Sequence, residues 1–417
     1  MSSVQDETGR FRNPLNDGYH DDGLMTNHSH QLSDEEPDDN LSSVRSSLKE
    51  QFPYFAGHIS SIPLFRSAKH EYADIASTDT LIRAYRQMTR LREMDNIMLS
   101  AQRQGRIAFY ATCRGEEAIH IGSASALDLG DVVFAQYREA GVLMWRGFTL
   151  QQFTNQCFSN NADLGKGRQM PIHYGSRALN YHTIASPLGT QIPQSVGAAY
   201  RLKLEKKPNV AICFFGEGAA STTDFHSACN FAATLKSPVI FFCRNNGYAI
   251  STPVEQQYNG DGIVGRAPGY GMAGLRVDGN DVFAVSAAVK AAKEYAVKHS
   301  APIMVEAMTY RQGHHSTSDD SSRYRDMQEV EDQANHQDPM KRLDSFMSQQ
   351  GILNEAERKE IGANEKRAVL EAMKASEELP PPPLSALFED VYNEKPQSLI
   401  DQEARLHEHV AKYPERY

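Results

Sequence analysis

Two apolar runs, Val210-Ala211-Ile212-Cys213-Phe214-Phe215 and Val239-Ile240-Phe241-Phe242-Cys243, constrain this chain more than any other feature, because each leads directly into a short polar segment able to carry chemistry. The first passes into Gly216-Glu217-Gly218 and the second into Arg244-Asn245-Asn246, so that Asn246 stands 29 residues after Glu217. The stretch between them is helix-compatible, and the unit reads as strand, tight turn, helix, strand. Both loops of such a unit emerge at the carboxyl ends of neighbouring parallel strands, where open α/β sheets bind ligands.

That placement makes neighbours of Glu217 and the Asn246 side chain. A hard dication such as Mg²⁺ takes oxygen ligands in near-octahedral geometry and completes its shell with phosphate oxygens. One carboxylate, one amide oxygen and a nearby backbone carbonyl suit it, while glycines let backbone N–H groups approach the anion. The spacing points to a metal-diphosphate site. Glycine after a strand is often only a turn, and Gly-x-Gly-x-x-small also resembles half of a dinucleotide-binding fingerprint. A carboxylate between the glycines, however, repels a bare pyrophosphate, and the second strand ends in Arg244-Asn245-Asn246 instead of an acidic ribose ligand. A nicotinamide site is therefore the weakest reading.

At 417 residues the chain has room for two average domains or one large α/β domain with appendages. Its net charge of −10 and the lack of a basic cluster argue against a nucleic-acid partner. No apolar run approaches the length of a membrane span. Cys113, Cys157, Cys213, Cys229 and Cys243 are odd in number and contain no Cys-x-x-Cys pair, so reduced buried thiols in an intracellular compartment are expected.

Residues 1–55 are polar and carry the acidic patch Asp34-Glu35-Glu36-Pro37-Asp38-Asp39; they are expected to be disordered. This segment is a poor transit peptide, since those are Arg-rich and acid-poor. Order is expected to begin near Ile62-Pro63-Leu64-Phe65. With Thr78-Asp79 as a cap, Leu81, Tyr85, Met88, Leu91, Met94 and Met98 recur at helical spacing. A third core strand is expected over Ile303 to Tyr310, preceded by a glycine-rich stretch from Gly260 to Gly279 and an alanine-rich helix from about Asp281 to Val297. Strands alternating with helices imply an α/β fold, a mostly parallel sheet with helices on both faces, filling 56–338. The remainder, 339–417, reads as helical, with a proline spacer at 380–383 before a last helix.

Glycine-acid-glycine followed by a double asparagine resembles the thiamine diphosphate signature. Longer runs extend the likeness: Phe134-Ala135-Gln136-Tyr137-Arg138-Glu139-Ala140-Gly141, Ser186-Pro187-Leu188-Gly189-Thr190-Gln191, Cys243 through Ser251, and Tyr310-Arg311-Gln312-Gly313-His314-His315-Ser316-Thr317-Ser318-Asp319-Asp320. From about Ile62 to the C-terminus the chain is similar to alpha subunits of branched-chain 2-oxo acid dehydrogenase decarboxylating components. The resemblance implies a thiamine diphosphate-binding fold in which Glu217 and Asn246 ligate Mg²⁺ by side chain and Tyr248 by its backbone carbonyl. It implies that Gln136, Tyr137, Arg138, Gly216, Gly218 and Arg244 line the diphosphate pocket. Two guanidiniums suit that anion. It further implies a K⁺ site built from oxygens of Ala185, Pro187, Thr190 and Gln191, with Ser186 near the cofactor and Leu188 beneath its bent form. Ala185 stands where a serine is often found, which matters little to a backbone carbonyl.

His314-His315 with Asp319-Asp320 admits a metal site, a Ser-His-Asp triad or a polar loop from the residues alone. Adjacent His and Ser in one loop cannot easily face each other, and no nucleophile elbow exists elsewhere, so a triad is disfavoured. The resemblance implies a loop at the active site, with His315 catalytic and facing the cofactor and Ser316 an inhibitory phosphorylation site served by a kinase and a phosphatase. A phosphate adds roughly −2 charge beside His315 and disorders the loop by repulsion. A second family phosphosite falls on Asp326, which has no hydroxyl.

Thiamine chemistry needs a second protein surface for the aminopyrimidine, and this chain shows only one α/β domain. The missing half is expected from a beta subunit, in an α2β2 heterotetramer that passes its product to a lipoylated transacylase core. The resemblance also implies the mitochondrial matrix and the 3-methyl-2-oxobutanoate dehydrogenase reaction on branched-chain 2-oxo acids. Alternatives are a pyruvate- or acetoin-type alpha subunit, which Thr317-Ser318-Asp319-Asp320 disfavours, and a non-catalytic thiamine-binding scaffold, which Glu217, Asn246, Arg138 and His315 disfavour.

Overall fold

The computed structural model describes Leu64–Phe65 and residues 77–416, all within one unit, Ser43–Tyr417. The segment 1–55 expected to be disordered lies outside the described residues. In chain order the elements are β1 (Leu64–Phe65), α1 (Thr78–Arg103), α2 (Glu117–Ser125), β2 (Val132–Phe134), α3 (Ala140–Trp145), α4 (Leu150–Phe158), α5 (Gln191–Leu204), β3 (Ala211–Gly216), α6 (Thr223–Leu235), β4 (Val239–Asn245), the hairpin β5 (Tyr248–Ala249) and β6 (Thr252–Pro253), α7 (Val254–Gln257), β7 (Ala273–Asp278), α8 (Val282–His299), β8 (Ile303–Met308), α9 (Met327–His336), α10 (Pro339–Gln349), α11 (Glu355–Glu377) and α12 (Gln397–Lys412).

Six strands pair in parallel in the order β1-β7-β8-β4-β3-β2, which is the expected sheet. β4 is buried along its whole length, as a strand covered on both faces must be. Side chains alternate between two cores. Ile212 and Phe214 of β3, Ile240 and Phe242 of β4, and Val305 of β8 face the core built with α1, α4, α8 and α11. Cys213, Phe215, Phe241 and Cys243 face the core built with α5 and α6. Each fully buried Phe, Val or Ile contributes about 1.5–3 kcal/mol, and the two layers fix the sheet's register. The C-terminal region joins this packing through Val369 and Met373 of α11.

Helix ends follow local chemistry. α1 is capped by Ser77, whose Oγ accepts from the Thr80 amide at 3.3 Å, one residue before the expected Thr78-Asp79. All six of its periodic residues are buried. Asp281 caps α8 by accepting from Phe283 and Ala284, and the helix runs to His299 instead of Val297. β8 ends at Met308, two residues short of Tyr310, where the chain leaves the sheet towards the site. The glycine-rich stretch Gly260 to Gly279 contains β7, a strand of the main sheet that its composition concealed. No helix among the described residues is long and apolar enough to cross a membrane, and all five cysteines are free and buried.

Candidate active site

β3 and β4 lie side by side with Gly216 opposite Arg244, so the loops after them open together. Glu217 enters this space from the turn after β3, and the Asn246 amide donates to its Oε2 at 3.3 Å. Two glycines make the approach possible. A Cβ on Gly218 would lie 2.8 Å from the Ala249 Cβ, and Gly247 turns the chain with φ +89°. A cavity of about 390 Å³ results. Gln136, Tyr137, Arg138, Ser186, Leu188, Gly216, Glu217, Gly218, Arg244, Asn246, Tyr248 and His315 all line it.

Ala185, Pro187, Thr190 and Gln191 do not. They form the turn into α5, where Thr190 Oγ1 donates to the Pro187 carbonyl at 3.1 Å and Gln191 Nε2 to the Phe214 carbonyl at 3.2 Å.

Glu217 is 1% exposed and makes no ion pair among the described residues. Burial pushes its carboxyl up to about 7, against the hydrogen bonds from its own backbone and Asn246 and the pull of Arg244. Asn246 is oriented from outside: its Nδ2 donates to Glu116 Oε1 at 2.7 Å, which leaves Oδ1 as an acceptor near the Tyr248 amide, 3.3 Å away. A buried carboxylate without a counter-ion, beside an amide oxygen and a turn carbonyl, is a donor set that a hard dication fits. No cluster of three or more His, Cys, Asp or Glu side chains suited to a metal occurs among the described residues, so any cation here relies on the Glu217 carboxylate together with amide, carbonyl and ligand oxygens.

Arg244 lines the cavity but is not a free cation: its Nε donates to Glu139 Oε1 and its Nη1 to Glu116 Oε2 at 2.7 Å, all three side chains being buried. Burial opposes the Glu116 charge, and Arg244 and Arg138 more than offset it, holding the carboxyl below its usual range. Glu139 also accepts from the Gln136 and Tyr137 amides through Oε2, at 2.9 and 3.0 Å, and so shapes the loop after β2.

The cavity-lining guanidiniums without a carboxylate partner among the described residues are Arg138 and Arg311. Arg138 donates to the Thr112 and His315 carbonyls, and its Nη2 lies 3.2 Å from His315 Nδ1. Arg311 Nη2 donates to the Ile250 carbonyl at 2.7 Å and to Tyr324 Oη at 2.8 Å, and its Nη1 lies 3.5 Å from the same imidazole nitrogen. Donors on both sides make Nδ1 the acceptor and place the ring proton on Nε2. Burial, then the charges of Arg138 and Arg311, push His315 down to about 3, so it is a neutral imidazole at physiological pH.

The loop carrying His315 is fastened by Asp319, which accepts from the His315 amide at 2.7 Å and from Tyr324 Oη at 2.6 Å. Arg325 adds donors to the Arg311 and Gly313 carbonyls. His314 turns away and meets Ser321 at 2.9 Å, so the paired histidines form neither a triad nor a metal pair. Ser316 also turns away: it lines a neighbouring cavity instead of the one His315 faces. Asp326, the position without a hydroxyl, caps α9.

Sequence reasoning named neither Glu116, Glu139 nor Arg311, although the last two lie inside quoted motifs. Their partners are far away in the chain, and only burial gives them away. It also missed His173, whose Nε2 lies 2.8 Å from Ser186 Oγ. Ile172 and Ile250 line the same cavity with φ of 67° and 59°, a left-handed backbone that β-branched residues rarely adopt.

The chain is similar to known proteins. The profile of the family described as dehydrogenase E1 component matches residues 85–385. The chain is 53% identical over 342 residues to "2-oxoisovalerate dehydrogenase subunit alpha, mitochondrial" of Dictyostelium discoideum, covering 82% of this chain and 78% of that one. Identity is 51% over 366 residues to the Homo sapiens protein of the same name, covering 86% and 82%. It is 48% over 363 residues to the Arabidopsis thaliana subunit alpha 1, covering 85% and 77%.

Proposed function

This chain belongs to the dehydrogenase E1 component family, and we propose that it serves as the alpha subunit of a branched-chain 2-oxo acid dehydrogenase, an oxidoreductase of the 3-methyl-2-oxobutanoate dehydrogenase type. Its relatives are named as mitochondrial subunits of that kind, and the chain is a mitochondrial matrix protein. Its cofactor is thiamine diphosphate, which when bound supplies the electron sink for decarboxylation of a 2-oxo acid.

The observation that carries the reading in detail is Glu217, a buried carboxylate lacking a counter-ion beside Asn246. Mg²⁺ held by Glu217, Asn246 Oδ1 and the Tyr248 carbonyl neutralises it. Arg138, Arg244 and Arg311 would hold the diphosphate's remaining charge, with Gln136, Tyr137, Gly216 and Gly218 around it, and Arg244 also keeps Glu116 and Glu139 in position. Leu188 and Ser186 line the same cavity and would contact the cofactor. His315 offers an Nε2–H donor to substrate there, beside Phe109 and Met170. K⁺ in the turn of Ala185, Pro187, Thr190 and Gln191 stiffens the entry to α5.

A beta subunit completes the pocket in an α2β2 tetramer, and the acyl group leaves to a lipoylated transacylase. Phosphorylation of Ser316 by a kinase, reversed by a phosphatase, acts on the wall that bears His315. The test is assembly with the cognate beta subunit and assay on a panel of 2-oxo acids with a lipoylated acceptor. Preference for 3-methyl-2-oxobutanoate is expected; equal or better use of pyruvate replaces this reading with the pyruvate type.

A further inference from the structure

Glu116 does not line the cavity, yet it holds two residues that do, Arg244 and Asn246. It stands at the N-cap of α2, after a tight turn closed by its own amide to the Cys113 carbonyl at 2.9 Å. Gly115 in that turn has φ +97°, and a Cβ there would collide with the Tyr310 carbonyl oxygen, so only glycine brings the turn this close to the end of β8. Thr309 Oγ1 lies 2.9 Å from the Gly115 carbonyl, and the Thr309 amide donates to the Asn245 carbonyl at 2.9 Å. The turn that carries Glu116 and the strand end that carries Asn246 therefore meet at the same residue.

Both carboxylate oxygens of Glu116 are engaged by donors. Oε1 accepts from Asn246 Nδ2 and Oε2 from Arg244 Nη1, each at 2.7 Å, and all three side chains are buried. An ionised carboxylate accepts and never donates, whereas the two ends of an asparagine amide have nearly the same shape and opposite hydrogen-bonding sense. The end of Asn246 that faces Glu116 must therefore be its nitrogen. Oδ1 is turned the other way, 3.3 Å from the Tyr248 amide.

We propose that Glu116 is a positioning residue for the divalent cation: as an obligate acceptor it keeps the Asn246 oxygen on the metal side, and its pairing with Arg244 ties that orientation to the guanidinium in the cavity. The inference rests on the reading of Glu217 and Asn246 as metal ligands. Glu116→Gln replaces one acceptor by a donor. Arg244 is charged and makes the stronger hydrogen bond, so it takes the remaining oxygen and the new NH₂ group faces Asn246. Two donors cannot pair, so the Asn246 amide flips and presents its nitrogen to the cation. The reciprocal swap, Glu116→Gln with Asn246→Asp, keeps the total charge and moves the carboxylate across the pair. The new amide then donates to it, and an oxygen faces the cation again.

The test uses the full chain assembled with its beta subunit. Mg²⁺ is titrated by calorimetry at a fixed excess of thiamine diphosphate, and urea unfolding is followed without cofactor. Glu116→Gln is expected to weaken Mg²⁺ binding about 10–100-fold, the loss typical of an outer-shell partner, and the swap to return it to within about tenfold of the wild type. Urea separates this from a purely structural role, in which the swap restores stability and leaves Mg²⁺ binding weak. Unchanged Mg²⁺ affinity in Glu116→Gln, a swap that binds Mg²⁺ no better than Glu116→Gln, or a swap that fails to assemble overturns the proposal. If Glu116→Gln alone does not assemble, the swap is compared with the wild type and the same tenfold limit decides. Glu217→Gln in the same titration tests the metal reading separately: wild-type Mg²⁺ affinity in that variant removes the reading whatever stands at position 116.

Discussion

The Asn246 amide donates to Glu217 Oε2 at 3.3 Å, joining two residues 29 apart in the chain at a carboxylate that no cationic side chain among the described residues pairs with. Glu217 sits on the turn after β3 and is buried, which decides the best test. Glu217→Gln keeps the shape and removes the charge. Calorimetry with Mg²⁺ and thiamine diphosphate on the assembled protein is expected to show a loss exceeding the roughly 10–100-fold typical of a lost outer-shell partner. An unchanged affinity rules Glu217 out as the metal ligand.

The same carboxyl sets a pH dependence. Its folded value is raised from 4.5 to about 7, so between those limits the folded protein without cofactor holds a proton that the unfolded chain releases. Stability of the cofactor-free protein therefore falls as pH rises through that window and levels off above it. Metal binding needs the ionised form, so affinity for the Mg²⁺ complex is expected to fall about tenfold per pH unit below 7. Thermal midpoints and calorimetry from pH 5 to 8 check both slopes; Glu217→Gln flattens the affinity slope and reduces the stability slope, to which Asp95, also pushed up to about 7 by burial, still contributes.

Glu139 shares Arg244 with Glu116 in a group of three buried charges. Glu139→Ala leaves the guanidinium with one partner and frees the Gln136 and Tyr137 amides, an expected loss of about 3–5 kcal/mol. Urea denaturation measures it, and a change under 1 kcal/mol contradicts the buried-pair account.

Assembly gives a third kind of test. The isolated chain is expected to bind cofactor weakly and to decarboxylate nothing, because the proposed function has a beta subunit complete the pocket. Robust turnover by the purified chain alone refutes this.

Ser316 lies behind the His315 wall, so a charge there acts through the loop and not by contact with substrate. Ser316→Glu is expected to suppress overall activity and to expose the segment around Asp319 to limited proteolysis, whereas Ser316→Ala stays active. Asp319→Asn, which weakens the bonds from the His315 amide and Tyr324, is expected to reproduce the cleavage pattern without any new charge. Full activity and an unchanged pattern in Ser316→Glu remove the switch.

The central strands were legible because β3, β4 and β8 are covered on both faces: β3 and β4 follow unbroken apolar runs, and β8 is interrupted only by Glu306. β2 has only three residues and β7 sits among glycines, so neither leaves a periodic signal. The cavity lining was legible through motifs in which neighbouring residues share a loop. Glu116, Glu139 and Arg311 were not, because their roles come from partners up to 130 residues away. Arg244 shows the limit most directly: its position was right, but its charge balance depended on two acids that sequence distance hid.

Ile250 sets local stability against the site. A left-handed β-branched residue costs about 1–3 kcal/mol, and at Ile250 that cost falls on a half-exposed residue lining the cavity. Glycine or asparagine there relaxes the backbone and is expected to raise the melting temperature while loosening the cavity wall. Ile172, also left-handed, is buried in the core, so the packing lost on truncation outweighs the strain relieved. Selection for heat resistance alone is therefore expected to enrich changes at 250 but not at 172, and selection for turnover to remove them. A library sorted by each criterion separately makes that conflict visible.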